Sequence, residues 1–427
     1  MYATSADQRL AVVGVLVLLL ALPPTGARAQ RSDTVAAPVS LTRREAIERA
    51  LARNPQLVAA RERAAQARAR RVQALAITDP TLTAVRDQHA DYPQTTTTVA
   101  AAVTVPFPDK LRLRYDVAQA DVRSFDAGYA ALRQQIAAQT AAEYDTLLVA
   151  LRHRSDLRES RSLAEEFFKK TDARFKAGDV AKLDVIKAQV DLAQAENALI
   201  ANERDIATAE ASLNRFLGEP VGTPLAPSDT LAVPPPLPEL STLVPLALSA
   251  RPDLRSAESQ VAGARAATAL ARESWLPDFF ASAVHDNTQS LSPQYSFGLT
   301  MAVPIFFWQH TAGDIAEASH RTAELVAAAA DTRAAVEQDV RSTYATARTA
   351  LRQVTFIRDQ LLPSAREAYR VASASYALGG SSALEVLDAR RSLLDAQSAF
   401  ADALSLANAS RADLERAVGA PLEVPSP

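Results

Sequence analysis

Hydrophobic positions recur along this chain with two periods. From Val180 to Leu217, Val185, Leu192, Leu199, Ile206 and Leu213 fall every seven residues, and Ala188, Ala195, Asn202, Ala209 and Phe216 follow each by three. The stretch from Ser382 to Val418 repeats this with Val386, Leu393, Phe400, Ala407 and Leu414, followed by Ala389, Ala396, Ala403, Ser410 and Ala417. A seven-residue repeat that alternates large and small side chains predicts helices packed closely along a coiled-coil seam. In Tyr295–Ile305 the period is two. Tyr295, Phe297, Leu299, Met301, Val303 and Ile305 share one face, and Ser296, Gly298, Thr300, Ala302 and Pro304 share the other, as a strand requires. Thr95–Val105 alternates in the same way, with Val99, Ala101, Val103 and Val105 on one face.

The same reading along the chain predicts one set of elements twice. The first set is a helix over 55–76, strands over 78–86 and 95–105, a very long helix over 110–175, a turn at Gly178 and a helix over 180–217. The second is a helix over 252–274, strands over 279–285 and 295–305, a helix over 310–377, a turn at Gly379-Gly380 and a helix over 382–418. A helix over 110–175 is about 99 Å long at 1.5 Å per residue, and the two shorter helices laid end to end nearly match it. This points to a long antiparallel helical barrel or rod.

Proline and glycine support the duplication. No Pro lies between Asp109 and Glu219, and Pro363 alone lies between Ile305 and Ala420, whereas nine prolines crowd residues 220–252. Proline ends helices and stiffens extended linkers. At an offset of 201, Gly178 meets Gly379, Leu183-Asp184-Val185 meets Leu384-Glu385-Val386, and Gly218-x-Pro220 meets Gly419-x-Pro421. At 197 to 198, Asn54-Pro55 meets Arg251-Pro252 and Val105-Pro106 meets Val303-Pro304. The expected organisation is a signal peptide at 1–29, a first repeat at 41–224 with a strand hairpin at 77–108, a proline-rich linker at 225–239, and a second repeat at 240–427 with a hairpin at 275–307.

Composition narrows the class. Apolar residues make up 48% of the 427, aromatics 6%, and there are 12 Gly and no Cys. Disulfides, thiolate metal sites and a Cys nucleophile are therefore excluded. The net charge of −3 lacks the basic stripe that nucleic acid demands. No P-loop, H-E-x-x-H or G-x-S-x-G motif is present, and nothing calls for a cofactor or a metal. The run Arg61, Arg63, Arg68, Arg70, Arg71 reads as a solvated helix face. Leu10–Leu22 is a 13-residue apolar run broken by Pro23-Pro24, with an Ala27-Arg28-Ala29 cleavage site, which reads as an export signal. Strands of about 9–11 residues suit a tilted membrane-spanning barrel, and aromatics gather at their ends: Phe107, Trp275, Phe279, Phe280, Phe306, Phe307 and Trp308 at one, Tyr92 and Tyr295 at the other. Four strands cannot close a barrel in lipid. Copies must therefore pool their hairpins, and the sequence alone leaves dimer, trimer and tetramer open.

The Asn54-Pro55 entry, the hairpins ending in Val-Pro, and the tip Tyr376-Ala-Leu-Gly379-Gly380-x-x-x-Leu384-Glu385-Val386-Leu387-Asp388-Ala389-Arg390 resemble the TolC family of outer-membrane efflux proteins. Val105-Pro106-Phe107-Pro108-Asp109-Lys110 looks most like its CzcC-like heavy-metal branch. The resemblance implies a mainly α fold with a small membrane β-barrel contribution, assembled as a homotrimeric tunnel with 12 strands. It implies a passive exit duct for small molecules or metal ions, with the barrel in the outer membrane and the helices in the periplasm. A periplasmic adaptor and an inner-membrane pump of the RND type are the implied partners. The tips around Gly178, Asp179, Gly379 and Gly380 would meet the adaptor, and their glycines would supply turns with positive φ. Glu385 and Asp388, three residues apart on one helix face, and Asp184 in the other repeat would narrow the tunnel. Lys187 takes the place of Asp388 in that repeat, and Ser381 stands where TolC has a basic residue linked to closure. Against the gate reading stand simple i+3 pairs, Asp388 with Arg391 and Asp184 with Lys187. Against the duct as a whole stands a periplasmic coiled-coil structural or adaptor protein without a pore.

Overall fold

The computed structural model describes residues 39–88, 95–288, 292–302 and 307–422. The export signal, Tyr92, the Val303-Pro304 strand end and Phe306 lie outside the described residues. The elements, in order, are β1 (Val39–Leu41), α1 (Arg43–Arg53), α2 (Pro55–Ala74), β2 (Thr81–Gln88), β3 (Thr95–Val105), α3 (Pro108–Ala177), α4 (Lys182–Leu217), β4 (Leu225–Pro227), α5 (Leu240–Ala250), α6 (Pro252–Arg272), β5 (Asp278–Thr288), β6 (Gln294–Ala302), α7 (Phe307–Phe356), a π-turn (Ile357–Leu361), α8 (Leu362–Ala377) and α9 (Ala383–Val418). No helix among the described residues is long and apolar enough to cross a membrane.

Four of the strands form one antiparallel sheet in the order β2-β3-β5-β6. Its register sorts the side chains. Leu82, Ala101, Ala283 and Phe297 lie in one row, and Val103, Ala281 and Leu299 in the next. The rows of the other face hold Thr81, Ala102, Ser282 and Gly298, then Thr98 and Asp286, with Thr98 donating to Asp286 at 2.6 Å. Over these rows one face is apolar and open, with Phe297 83% exposed, and the other is small and polar; toward the far end Arg86, Thr97 and Asn287 join the first face and Val85 the second. Phe279 sits on the apolar face and stacks on Phe107 at 6.2 Å. Phe280 points to the polar face, because neighbours on a strand face opposite ways; the aromatic cluster at this end is therefore split between the two surfaces.

Away from the sheet, the helices lie in rows. Nearest the strands the order is α2-α3-α6-α7; further off it is α4-α3-α9-α8. The 70-residue α3 runs through both rows, about 105 Å at 1.5 Å per residue. Position in the row decides which half of each seam is buried. On central α9 both series are largely buried, including Val386, Leu393, Leu414, Ala396 and Ala403. On edge helix α4 the series Ala188, Ala195, Asn202, Ala209 and Phe216 is buried against α3, while Val185, Leu192 and Leu199 are only half-buried.

Three features depart from the sequence reading. The second long helix is not continuous: between α7 and α8 the Leu362 N–H bonds to the Ile357 carbonyl, five residues back. Pro363, one residue on, can supply no helical N–H. Second, α1 and α5 are helices the heptads do not mark; α1 begins with a Thr42–Glu45 capping box. Third, the proline-rich linker holds β4, which pairs in parallel with β1. These pieces gather at the waist of the rows. One core there holds Leu41, Tyr144, Leu147, Leu213 and Leu217, and another holds Leu243, Val336, Val340, Leu414 and Val418. Each repeat also closes the joint between its stacked helices in the same way. Asn54 donates to the Phe216 carbonyl at 3.4 Å and Arg251 to the Ala417 carbonyl at 3.0 Å.

Candidate functional site: the hairpin tips

The two helical hairpins end at the same level, furthest from the sheet. At the first, α3 stops at Gly178, which takes φ 87° and donates to Phe175 at 2.9 Å; Asp179 then donates to Arg174 at 2.9 Å. At the second, Gly379 takes φ 79° and donates to Tyr376 at 3.1 Å. A side chain with a Cβ pays for such left-handed backbone, and glycine does not. Gly380 differs from the expectation. It is not left-handed; instead a Cβ there would lie 2.9 Å from Ser375 Oγ. A larger residue at that position would require the Ser375 hydroxyl to turn aside.

The tips meet each other. Arg174 at the end of α3 donates to the Tyr376 carbonyl of α8 at 2.5 Å and lies 4.8 Å from the centre of its ring. Tyr376 bonds Thr171 at 3.2 Å and packs on Phe167 at 5.2 Å between centroids. Two turns further in, buried Arg390 of α9 pairs with Asp191 of α4 and donates to Ser160 Oγ of α3 at 2.6 Å. A buried ion pair costs heavily when one partner is removed, so Arg390 clamps three helices from both repeats. Sequence reasoning missed Arg174, Tyr376, Asp191 and Arg390 as a joint. The partners lie about 200 residues apart (202 for Arg174–Tyr376, 199 for Arg390–Asp191), and no periodicity reports a contact at that range. The one signal was Arg390, a charge in a stretch that otherwise buries its seam.

The predicted carboxylates fall in different settings. Glu385 closes a capping box on Ser382, accepting from its N–H at 3.4 Å while donating its own N–H to Ser382 Oγ at 3.3 Å. Asp388 is exposed and lies with Lys187, Asp191 and Arg391 on an open groove of about 750 Å³ between α4 and α9. Asp184 is half-buried in the first turn of α4 and does not line that groove. Neither i+3 pair forms: among the described residues none of the three carboxylates has a basic partner within 4.0 Å. Ser381, the departure noted at the second tip, is held by the Ala372 carbonyl at 3.0 Å. Of the arginine run on α2, Arg68 bonds Asp126 and Arg71 bonds Gln119, both on α3.

Among the described residues no cluster of three His, Cys, Asp or Glu is placed to hold a metal. What the geometry offers is a sheet with one apolar face, long helical hairpins, and charged tips. The sequence pattern of the outer membrane efflux protein family matches residues 46–219 and 243–420. The chain belongs to that family of non-enzymatic channels, with one family segment in each repeat; the match does not extend to the heavy-metal branch. No curated protein matches. Solved structures share the fold. A membrane protein from Pseudomonas aeruginosa is 23% identical, with a TM-score of 0.77 over 89% of this chain and 90% of that one. The outer membrane protein VceC from Vibrio cholerae is 19% identical, TM-score 0.77, over 89% and 97%. The Campylobacter jejuni CmeC outer membrane channel is 18% identical, TM-score 0.77, over 90% and 87%.

Proposed function

We propose that three copies of this chain form the outer-membrane duct of a three-part export system. The four-stranded sheets join into a 12-stranded barrel, the helical rows into a tunnel across the periplasm, and the tips meet a periplasmic adaptor that couples an inner-membrane pump. The observation that carries this reading is that, among the described residues, every level of the chain has two open edges. At the sheet they are β2 and β6, in the near row α2 and α7, in the far row α4 and α8. An unpaired strand edge cannot stay in hydrocarbon, so the edges must be closed by copies. The duct is passive in this reading: the sequence carries no P-loop motif and no Cys, and small molecules or metal ions would move through as the pump delivers them.

Within this reading Asp388, Glu385 and Asp184 narrow the tunnel near its periplasmic mouth. Rings of carboxylates favour cations. Gly178, Asp179, Gly379 and Gly380 present the docking surface. The test is direct. In detergent the protein should have the mass of a trimer and should open conducting pores in planar bilayers; a uniform monomer without conductance would overturn the reading. For the tips, Asp179→Lys should lower export while trimers still form; unchanged export would remove Asp179 from the docking surface.

A further inference from the structure

In the near row α2-α3-α6-α7 the pair α2-α3 and the pair α6-α7 are counterparts in the two repeats. The seam that joins the pairs, α3 against α6, therefore has its own counterpart only where α7 of one copy meets α2 of the next. Two offsets translate the first seam into the second. Pro252 and Leu254 follow Pro55 and Leu57 by 197, which sets α6 on α2. Val336 and Tyr344 follow Ile136 and Tyr144 by 200 and hold matching places in the waist cores, which sets α7 on α3. Both long helices run unbroken from the waist towards the sheet, so the second offset holds along them.

The seam within a copy is neutral and close. A Cβ on Gly263 of α6 would lie 3.1 Å from Ala120 of α3. Gln260 donates to Ser124 Oγ at 3.3 Å, and Ser256 Oγ lies 2.9 Å from the same atom. Translated by the offsets, Gly263 and Ala120 become Gln66 and His320, and Gln260 and Ser124 become Arg63 and Glu324. One heptad nearer the sheet on both helices, Ala267 and Val117 become Arg70 and Glu317. Two bases seven residues apart thus stand opposite two acids seven residues apart. Glu62 and Arg321 flank the Arg63–Glu324 level with the signs exchanged. Glu324 bonds Arg321 on its own helix at 2.6 Å, and a carboxylate has lone pairs for a second donor. Exposed ion pairs add little strength; matched charges instead decide which surfaces meet and in what register. Size sorts the seams as well, because Gln66 does not fit the close approach that Gly263 allows at Ala120.

We propose that Arg63 and Arg70 of one copy pair with Glu324 and Glu317 of the next, a two-rung charge ladder that sets the register of neighbouring copies and distinguishes the seam between copies from the seam within one. The ladder rests on the reading above in which copies close one tunnel.

The Arg70–Glu317 rung is the cleaner one to test, since Glu324 already holds Arg321. Arg70→Glu and Glu317→Arg should each lower the temperature at which trimers dissociate in detergent, and the two together should recover most of the loss. The loss should shrink in about 1 M salt, where the screening length is about 3 Å. Losses that add in the double variant, or trimers that tolerate both reversals, would overturn the ladder. Gln66→Cys with His320→Cys leaves all four charges in place and covers the case in which the reversed chains fail to fold. The closeness of Gly263 and Ala120 predicts a disulfide between copies at this counterpart. Gln66→Cys with Asp331→Cys, about 16 Å out of register, should give none. Trimers of the first pair that form without the cross-link would overturn the register and the ladder with it, while the tunnel stands. A wild-type chain that is monomeric in detergent would instead remove the tunnel reading itself.

Discussion

Asp145 sits in α3 at the waist, 3% exposed, with the Arg43 guanidinium at 3.1 Å. The Arg43 backbone N–H donates to Asp229 at 2.6 Å, and Asp229 also accepts from Tyr144 at 3.1 Å. One residue thus serves two carboxylates beneath the β1–β4 strap. Burial pushes the Asp145 carboxyl up to about 6, with Asp229 adding to the rise and Arg43 opposing it. The folded chain therefore holds a proton that the unfolded chain releases near pH ~3.9. The stabilisation from that proton is full below about pH 4 and is lost as the pH rises through about 6. A shift of this size corresponds to roughly 3 kcal/mol as an upper bound. Melting curves of wild type and Asp145→Asn between pH 4 and 7.5 should diverge, with the wild type losing relative stability as the pH rises through that window. Parallel curves would show that Asp145 does not titrate in the fold. At the tips, Glu385→Gln keeps the capping box, since Gln can replace Glu at that position. Glu385→Gln with Asp388→Asn should therefore reduce cation selectivity of the pore, measured by reversal potentials, without loss of assembly. Unchanged selectivity would mean that these groups do not face the ion path.

The elements show how much of the molecule could be read in advance. Helices whose seams repeat every seven residues, and strands whose faces alternate, were legible because the signal is local. The π-turn was not, although its trace is in the sequence. The seam of α7 runs through Val340, Ala347 and Val354, and that of α8 through Leu362, Tyr369 and Tyr376. Heptads carried forward from Val354 would reach Leu361 instead. One extra residue separates the two registers, and a π-turn absorbs one residue while keeping both halves against α9. Pro363 marked the place, but its effect depends on a register that only the partner helix defines. Deleting Gln360 together with Pro363→Ala should restore one continuous seam and an uninterrupted α-helix. Hydrogen exchange at 355–365, faster than in the flanking turns of the wild type, should slow in this variant. If the deletion unfolds the hairpin, the extra residue is not a register slip. The tip joint was illegible for a different reason: Arg174 with Tyr376, and Arg390 with Asp191, couple residues of separate repeats, and nothing local in either repeat names its partner.

For the whole molecule, the open edges carry their own complementarity. Off its α3-facing seam, α4 carries a mostly apolar exposed stripe, Leu183, Ile186, Val190, Ala193 and Ile200, interrupted by Asn197; Ile186 and Val190 also border the open groove toward α9. On α8 the face turned away from α9 carries exposed Val371, and Leu378, just past its end, is 89% exposed. Apolar stripes of this kind on a long helix are normally buried against another helix, and within one copy nothing among the described residues covers them. Heights match when counted from the tip glycines. Ile186 is eight residues past Gly178 and Val371 eight before Gly379, each about 12 Å along its helix. Ile200 stands about 21 Å above Val371 by the same count. Because the chain has no Cys, engineered pairs report cleanly. Ile186→Cys with Val371→Cys should form a disulfide between copies, giving covalent trimers on a non-reducing gel. Neither single variant should do so, nor should Ile200→Cys with Val371→Cys. Disulfide-linked dimers that never close into trimers would keep the α4–α8 contact and reject threefold closure. The absence of any cross-link, in protein that still conducts, would place the far edges of neighbouring copies on other faces.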